Sequence, residues 1–176
     1  MRLFIGVNFD NDVKNIIYSV QQIVQNKAKK GNFTLIYNIH LTIKFLGELD
    51  NDMVPFLINA INQTTKHFNS FTITINSLGS FKPKNEIVYL GVESNDILNE
   101  LYRILTWKLN KIIKPNDSFY TPHLTVGRKI LIDDFDNLKE STVINIKIVI
   151  DNLTLFESKR IDGKLTYLPL YTKKLK

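Results

Sequence analysis

One short motif, used twice, constrains this chain more than its composition does. His40-Leu41-Thr42-Ile43 recurs as His123-Leu124-Thr125-Val126, 83 residues further on in a chain of 176. An echo at close to half the length predicts two similar lobes. Residues i and i+2 of a strand share a face, so each copy sets an imidazole beside a threonine hydroxyl and turns its aliphatic residues the other way.

The segments around the motifs read as mixed α and β. Leu3 to Phe9 is an apolar run predicting a buried strand, and Asp10 is placed to cap a helix bearing Val13, Ile16, Ile17, Val20, Ile23 and Val24, ending within Lys27–Gly31. A strand over Ile39–Leu46 precedes a helix with Asp52 as its expected cap, Pro55 in its first turn and Leu57, Ala60, Ile61 and Thr64 on one face. Phe71, Ile73 and Ile75 alternate with polar residues, and Glu86–Glu93 is the second arm of a hairpin. A third helix is expected from a Ser94 cap to Lys114-Pro115-Asn116, with Ile97, Leu98, Leu101, Ile104, Leu105, Leu109 and Ile112 at helical spacing. Further strands are expected at His123–Arg128 and Val143–Ile150, then at Leu153–Ser158 and Leu165–Leu170 around an Asp162-Gly163 turn. The chain therefore reads as α+β, a single domain over 1–176 with the two motifs in facing lobes.

Composition removes several chemistries. There is no cysteine, which excludes disulfides, thiolate zinc sites and thiol nucleophiles, and fits a reducing, cytoplasmic compartment. No apolar run approaches a membrane span or a secretory leader. The net charge of +6 favours anionic partners without naming one. Neither motif has a carboxylate or second histidine at metal-ligand spacing, so no metal or other cofactor is expected.

If both motif strands line one cleft, two imidazoles and two hydroxyls converge on a small site. Such a set suits acid–base chemistry at an oxyanion, one neutral histidine taking a proton from water and one charged histidine giving a proton to the leaving oxygen. The hydroxyls of Thr42 and Thr125 would hold nonbridging oxygens. His67, the third histidine, sits at a helix end beside Phe68 and reads as an ordinary surface residue. Lys44 has the parity to share the face of His40 and Thr42, either as cleft charge or as a solvated strand-end residue. Arg128, five residues after His123, reaches the cleft only if its strand ends or bulges first. Phe119 and Tyr120 are candidates for stacking on a base or for core packing. Lys82, Lys84, Lys27, Lys29 and Lys30 either attract a nucleic-acid backbone or are solvated loop residues.

The stretches His40-Leu41-Thr42-Ile43-Lys44-Phe45-Leu46-Gly47-Glu48 and Phe119-Tyr120-Thr121-Pro122-His123-Leu124-Thr125-Val126-Gly127-Arg128 resemble the two-histidine phosphoesterase superfamily, specifically the RNA 2′,3′-cyclic phosphodiesterases, also called 2′-5′ RNA ligases. Arg2-Leu3-Phe4-Ile5, the Phe81-to-Val92 hairpin and Leu155-Phe156-Glu157-Ser158 extend the resemblance over nearly the whole chain. It implies a bilobal fold with antiparallel sheets facing a central cleft and helices outside. It implies metal-independent opening of a terminal 2′,3′-cyclic phosphate on RNA to a 2′-phosphate, with His123 as general base and His40 as proton donor. Thr42, Thr125 and Arg128 would then bind phosphate; Lys44 and Tyr120 are further candidate substrate contacts on the residue-level grounds above. The expected partner is an RNA 3′ end or a nucleotide bearing the cyclic phosphate, and nothing demands more than a monomer. Two other readings stay open: an RNA- or nucleotide-binding module without turnover, and 2′-5′ ligation as the reverse reaction.

Overall fold

The computed structural model describes residues 1–81, 87–114 and 119–176. In chain order the elements are β1 (Arg2–Asn8), α1 (Asn11–Lys27), β2 (Lys30–Phe33), β3 (His40–Glu48), α2 (Val54–Thr65), β4 (Phe71–Phe81), β5 (Ile87–Val92), α3 (Asp96–Leu109), β6 (His123–Leu131), α4 (Phe135–Ser141), β7 (Ile146–Ile150), β8 (Asn152–Ile161) and β9 (Lys164–Lys174). Short 3₁₀ turns at Ile36–Asn38 and Asn51–Met53 precede β3 and α2.

The described strands form two antiparallel sheets, ordered β3-β1-β8-β9 and β2-β6-β5-β4-β7. The chain passes back and forth between them, so each sheet draws on both halves of the sequence. The motif strands β3 and β6 belong to different sheets and contact each other. Their alternation does what the motif requires. Leu41, Ile43, Leu124 and Val126 are buried in the core, while His40, Thr42, His123 and Thr125 are only half-buried on the other side. Leu57 and Ile61 of α2 and Leu98, Leu101, Leu105 and Leu109 of α3 join the same core, which fixes the backs of the motif strands. Burial of an aliphatic side chain of this size contributes roughly 1.5–3 kcal/mol.

Each motif strand carries a bulge at the same place. Against β1, Thr42 pairs with Gly6 and Lys44 with Ile5, leaving Ile43 as an extra residue. Against β5, Thr125 pairs with Tyr89 and Gly127 with Val88, leaving Val126 as the extra one. An added residue inverts the facing of the rest of its strand. Arg128 thereby returns to the side of His123 and Thr125. The same shift corrects the expectation for Lys44, which leaves the face of His40; it is 6% exposed and is not a solvated strand end.

Several local expectations hold. Asp10 accepts from the Val13 amide at 2.8 Å as the cap of α1, and Asp162 and Gly163, at φ 48° and 77°, make the two-residue turn between β8 and β9. Others need correction. Asp52 does not cap α2: it lies inside the preceding 3₁₀ turn, and α2 starts with Pro55 in its first positions and no side-chain cap. The cap of α3 is Asn95, not Ser94, and the helix stops at Leu109, so Ile112 lies beyond it in a turn. Only Ile146–Ile150 of the alternating 143–150 stretch is strand, and Val143 is exposed. β2 and α4 lie in stretches without a legible period. Lys82, Lys84, Glu86, Pro115 and Asn116 lie outside the described residues.

Candidate active site

The two histidines begin β3 and β6, and each is held by the backbone just before it. His40 Nδ1 donates to the Asn38 carbonyl at 2.6 Å, and His123 Nδ1 donates to the Thr121 carbonyl at 2.7 Å. A carbonyl only accepts, so both Nδ1 atoms carry hydrogen and each neutral ring presents Nε2 as its basic nitrogen. His40 Nε2 lies 2.9 Å from Thr42 Oγ1, whose hydroxyl donates to it in the neutral state. Among the described residues no matching His123–Thr125 bond is formed, so the site is symmetric in its anchors and asymmetric in its hydroxyls.

Aromatic rings wall both imidazoles. Tyr167 meets His40 edge-on at 4.9 Å and 83°, over a floor in which Phe4 stacks on Phe156. Phe81 meets His123 edge-on at 5.0 Å and 78°, and Tyr89 tilts against it at 5.3 Å. Tyr89 lies flat over Gly79, where an added Cβ would sit 2.6 Å from the ring. Asn38 ties the first wall to its histidine. It is 5% exposed, its amide donates to the Leu165 carbonyl at 2.8 Å, and its Oδ1 accepts from the Tyr167 amide at 3.0 Å. One residue thus fixes β9, and with it Tyr167, relative to the carbonyl that holds His40.

These surroundings set the protonation states. Burial pushes His40 down to about 4; the Asn38 carbonyl opposes this, and the charges of His123, Lys14 and Arg128 add to it. Burial also lowers His123, again with the Thr121 carbonyl opposing and Arg128 adding. Arg128 is exposed, yet its charge reaches both imidazoles and the Tyr167 phenol, which places it at the shared cleft. At neutral pH, without an anion between them, both histidines are neutral.

A pocket of about 170 Å³ opens beside this pair, lined by residues including Thr42, Lys44, Tyr102, Phe119, Tyr120 and His123. Tyr120 stacks on Tyr102 at 4.2 Å and 6°, and its hydroxyl donates to the Thr42 carbonyl at 3.4 Å. One face of Tyr120 is therefore committed to packing. Phe119 is fully exposed, which overturns core packing for that residue. Lys44 Nζ lies 3.5 Å from the Tyr102 hydroxyl. Phe45 holds in the first motif the place of Arg128 in the second, and is 56% exposed. His67 is exposed just after α2, and Lys29 is paired with Asp133 at 2.7 Å.

Asn38, Tyr167, Phe4, Phe81, Tyr89 and Lys14 join the site without a motif of their own to mark them. The only signal for Asn38 is its place two residues before a motif histidine; Phe4, Phe81 and Tyr89 lie in segments that extend the family resemblance, but nothing in those segments marks them as walls of the site, and Tyr167 lies in none of them.

Two antiparallel sheets, each carrying one His-x-Thr strand and in contact through those strands, define a two-lobed α+β protein. Residues 18–162 match the model of the 2′-5′ RNA ligase superfamily, and the chain belongs to that family. A Thermotoga maritima protein named RNA 2′,3′-cyclic phosphodiesterase is 29% identical, covering 97% of this chain and 94% of its own. Among solved structures, TT0787 of Thermus thermophilus superposes with a TM-score of 0.83 at 17% identity, over 99% of this chain and 98% of that one. Escherichia coli LigT complexed with 3′-AMP superposes with a TM-score of 0.74 at 21% identity, over 99% and 97%. These two show the same fold.

The buried imidazole and its asparagine can both be tested through stability. The folded state resists protonation of His40, so the unfolded chain binds that proton first and stability falls as pH drops from 6.5 toward 4. The contribution is at most about 3 kcal/mol, and urea titrations of His40→Gln should show a flatter decline over that window. Asn38→Ala leaves the Leu165 carbonyl and Tyr167 amide without their partner, and its urea midpoint should fall by the equivalent of about 1–3 kcal/mol.

Proposed function

We propose that this chain hydrolyses the terminal 2′,3′-cyclic phosphate of RNA to a 2′-phosphate, by paired histidine acid–base catalysis and without a metal. The carrying observation is that both Nδ1 atoms are taken by carbonyls two residues back, leaving two Nε2 atoms as the reactive nitrogens of one cleft. The name of the Thermotoga maritima relative supports the substrate class.

In this reading the cyclic phosphate lies between the histidines, its nonbridging oxygens facing Thr42, Thr125 and Arg128. His123 Nε2 takes a proton from water as the water oxygen bonds to phosphorus. The P–O3′ bond breaks, and O3′ takes the proton from His40 Nε2. The products are a 2′-phosphomonoester and a free 3′-hydroxyl, and solvent exchange returns both histidines to their starting states. His40 is neutral in the empty cleft, so the phosphodiester's own negative charge supplies the bias that protonates it. Arg128 holds the anion but opposes that protonation, which makes its placement a compromise between binding and acidity. Lys44 and Tyr120 act behind Thr42, where they shape the pocket wall next to the phosphate.

The test is turnover of a nucleoside 2′,3′-cyclic phosphate with a chelator present, with phosphorus NMR of the product. His40→Ala and His123→Ala should each lower kcat by about 10²–10⁴-fold. Activity that survives either change removes that histidine from the mechanism, and binding without turnover in the unaltered chain favours a binding module. Because both imidazoles are held low, kcat/KM should trace a bell with its maximum below pH 6.5. A profile monotonic through the histidine range would overturn the paired roles.

A further inference from the structure

The C-terminal half of α3 and the turn that follows it carry a concentration of aromatic and cationic side chains that the chemistry above does not use. Trp107, the one tryptophan of the chain, is 59% exposed. Lys111 Nζ lies 3.4 Å from its ring centroid and Lys108 Nζ 5.6 Å. From Arg103 to Lys114 the sequence holds four cations and no carboxylate. Arg103 is paired with Glu100 at 3.4 Å, which leaves the lysines as the main source of charge. The leucines of α3 occupy its core side, so Trp107 stands on the opposite side of the helix. A lone exposed aromatic is common, and lysines at a helix C-terminus are ordinary partners of its dipole.

The link to the cleft sets this patch apart. The same helix supplies Tyr102, which lines the pocket shared with Thr42 and His123. Trp107 is five residues further, ~7.5 Å along the helix axis and ~140° around it. Fully exposed Phe119 stands at the rim of that pocket. Trp107 is thus within a few nucleotides' reach of the pocket that Tyr102 and Phe119 line.

We propose that this face of α3 binds the RNA immediately upstream of the cyclic phosphate, with a base stacked on Trp107 and the backbone held by Lys108 and Lys111. The inference rests on the phosphodiesterase reading and adds a subsite to it. Single strands are bound by this combination, stacking tolerating any base and lysines tracking the phosphates. Charge complementarity selects RNA over an apolar protein partner. A mononucleotide is too short to reach the patch, so the subsite separates substrates by length.

The experiment compares a nucleoside 2′,3′-cyclic phosphate with a hexanucleotide ending in the same group. Trp107→Ala should lower kcat/KM on the hexanucleotide about tenfold, chiefly through KM, and Trp107→Phe should restore most of it. Turnover of the mononucleotide should change less than twofold, which also shows that the variant folds. In the unaltered chain, Trp107 emission should be quenched by a hexanucleotide ending in a 2′-phosphate, less so as salt rises from about 50 to about 200 mM. Lys111→Gln should flatten that salt dependence. Equal losses on both substrates, or neither loss nor quenching, would overturn the subsite while leaving the phosphodiesterase reading in place. An unaltered chain idle on both substrates would instead overturn the phosphodiesterase reading.

Discussion

A carbonyl two residues before each histidine organises the site. By accepting from Nδ1, the Asn38 and Thr121 carbonyls choose the tautomer and leave Nε2 as the basic atom. Backbone does this without regard to side-chain identity, so two different local sequences, Asn-Ile-His and Thr-Pro-His, reach the same result. The aromatic walls complete the arrangement by limiting ring rotation and removing water. Their cost is the lowered basicity of both histidines. In the proposed reaction the bound phosphodiester offsets that cost, because its negative charge favours protonation of His40 only once the anion is in place.

The paired bulges extend the same logic into the strands. A regular strand carrying His-x-Thr would point its sixth residue away from the cleft. The extra residues at Ile43 and Val126 invert that facing, so Arg128 joins the histidines from one lobe and Phe45 takes the equivalent place in the other. Similar backbones thus carry different side chains, a cation on one side and an aromatic ring on the other. The symmetry is in the frame, and the asymmetry is in what the frame holds.

Much of this is legible in the residues. His and Thr at i and i+2 with aliphatics between them set the face of each motif strand. Asp10 marks a helix start, and Asp162-Gly163 marks a hairpin. The illegible features depend on pairing across long sequence separations: the bulges are set by β1 and β5, and the walls by β4, β5, β8 and β9. Asn38 acts through its main chain as well as its amide, and a main-chain carbonyl leaves no mark in an amino-acid alphabet. Lys44 misleads because simple alternation runs straight through a bulge. The short β2 and the seven-residue α4 have too few residues to show a period.

The crossing of the chain between sheets has a consequence for when the protein becomes competent. β1 sits between β3 and β8, and β9, which brings Tyr167, adds only after β8. During biosynthesis the first motif strand is made early, yet its imidazole remains unwalled and wet until that late hairpin docks. A nascent or partly folded chain thus exposes an ordinary histidine in water, and the lowered basicity of the buried ring arrives only with the closing of the sheet.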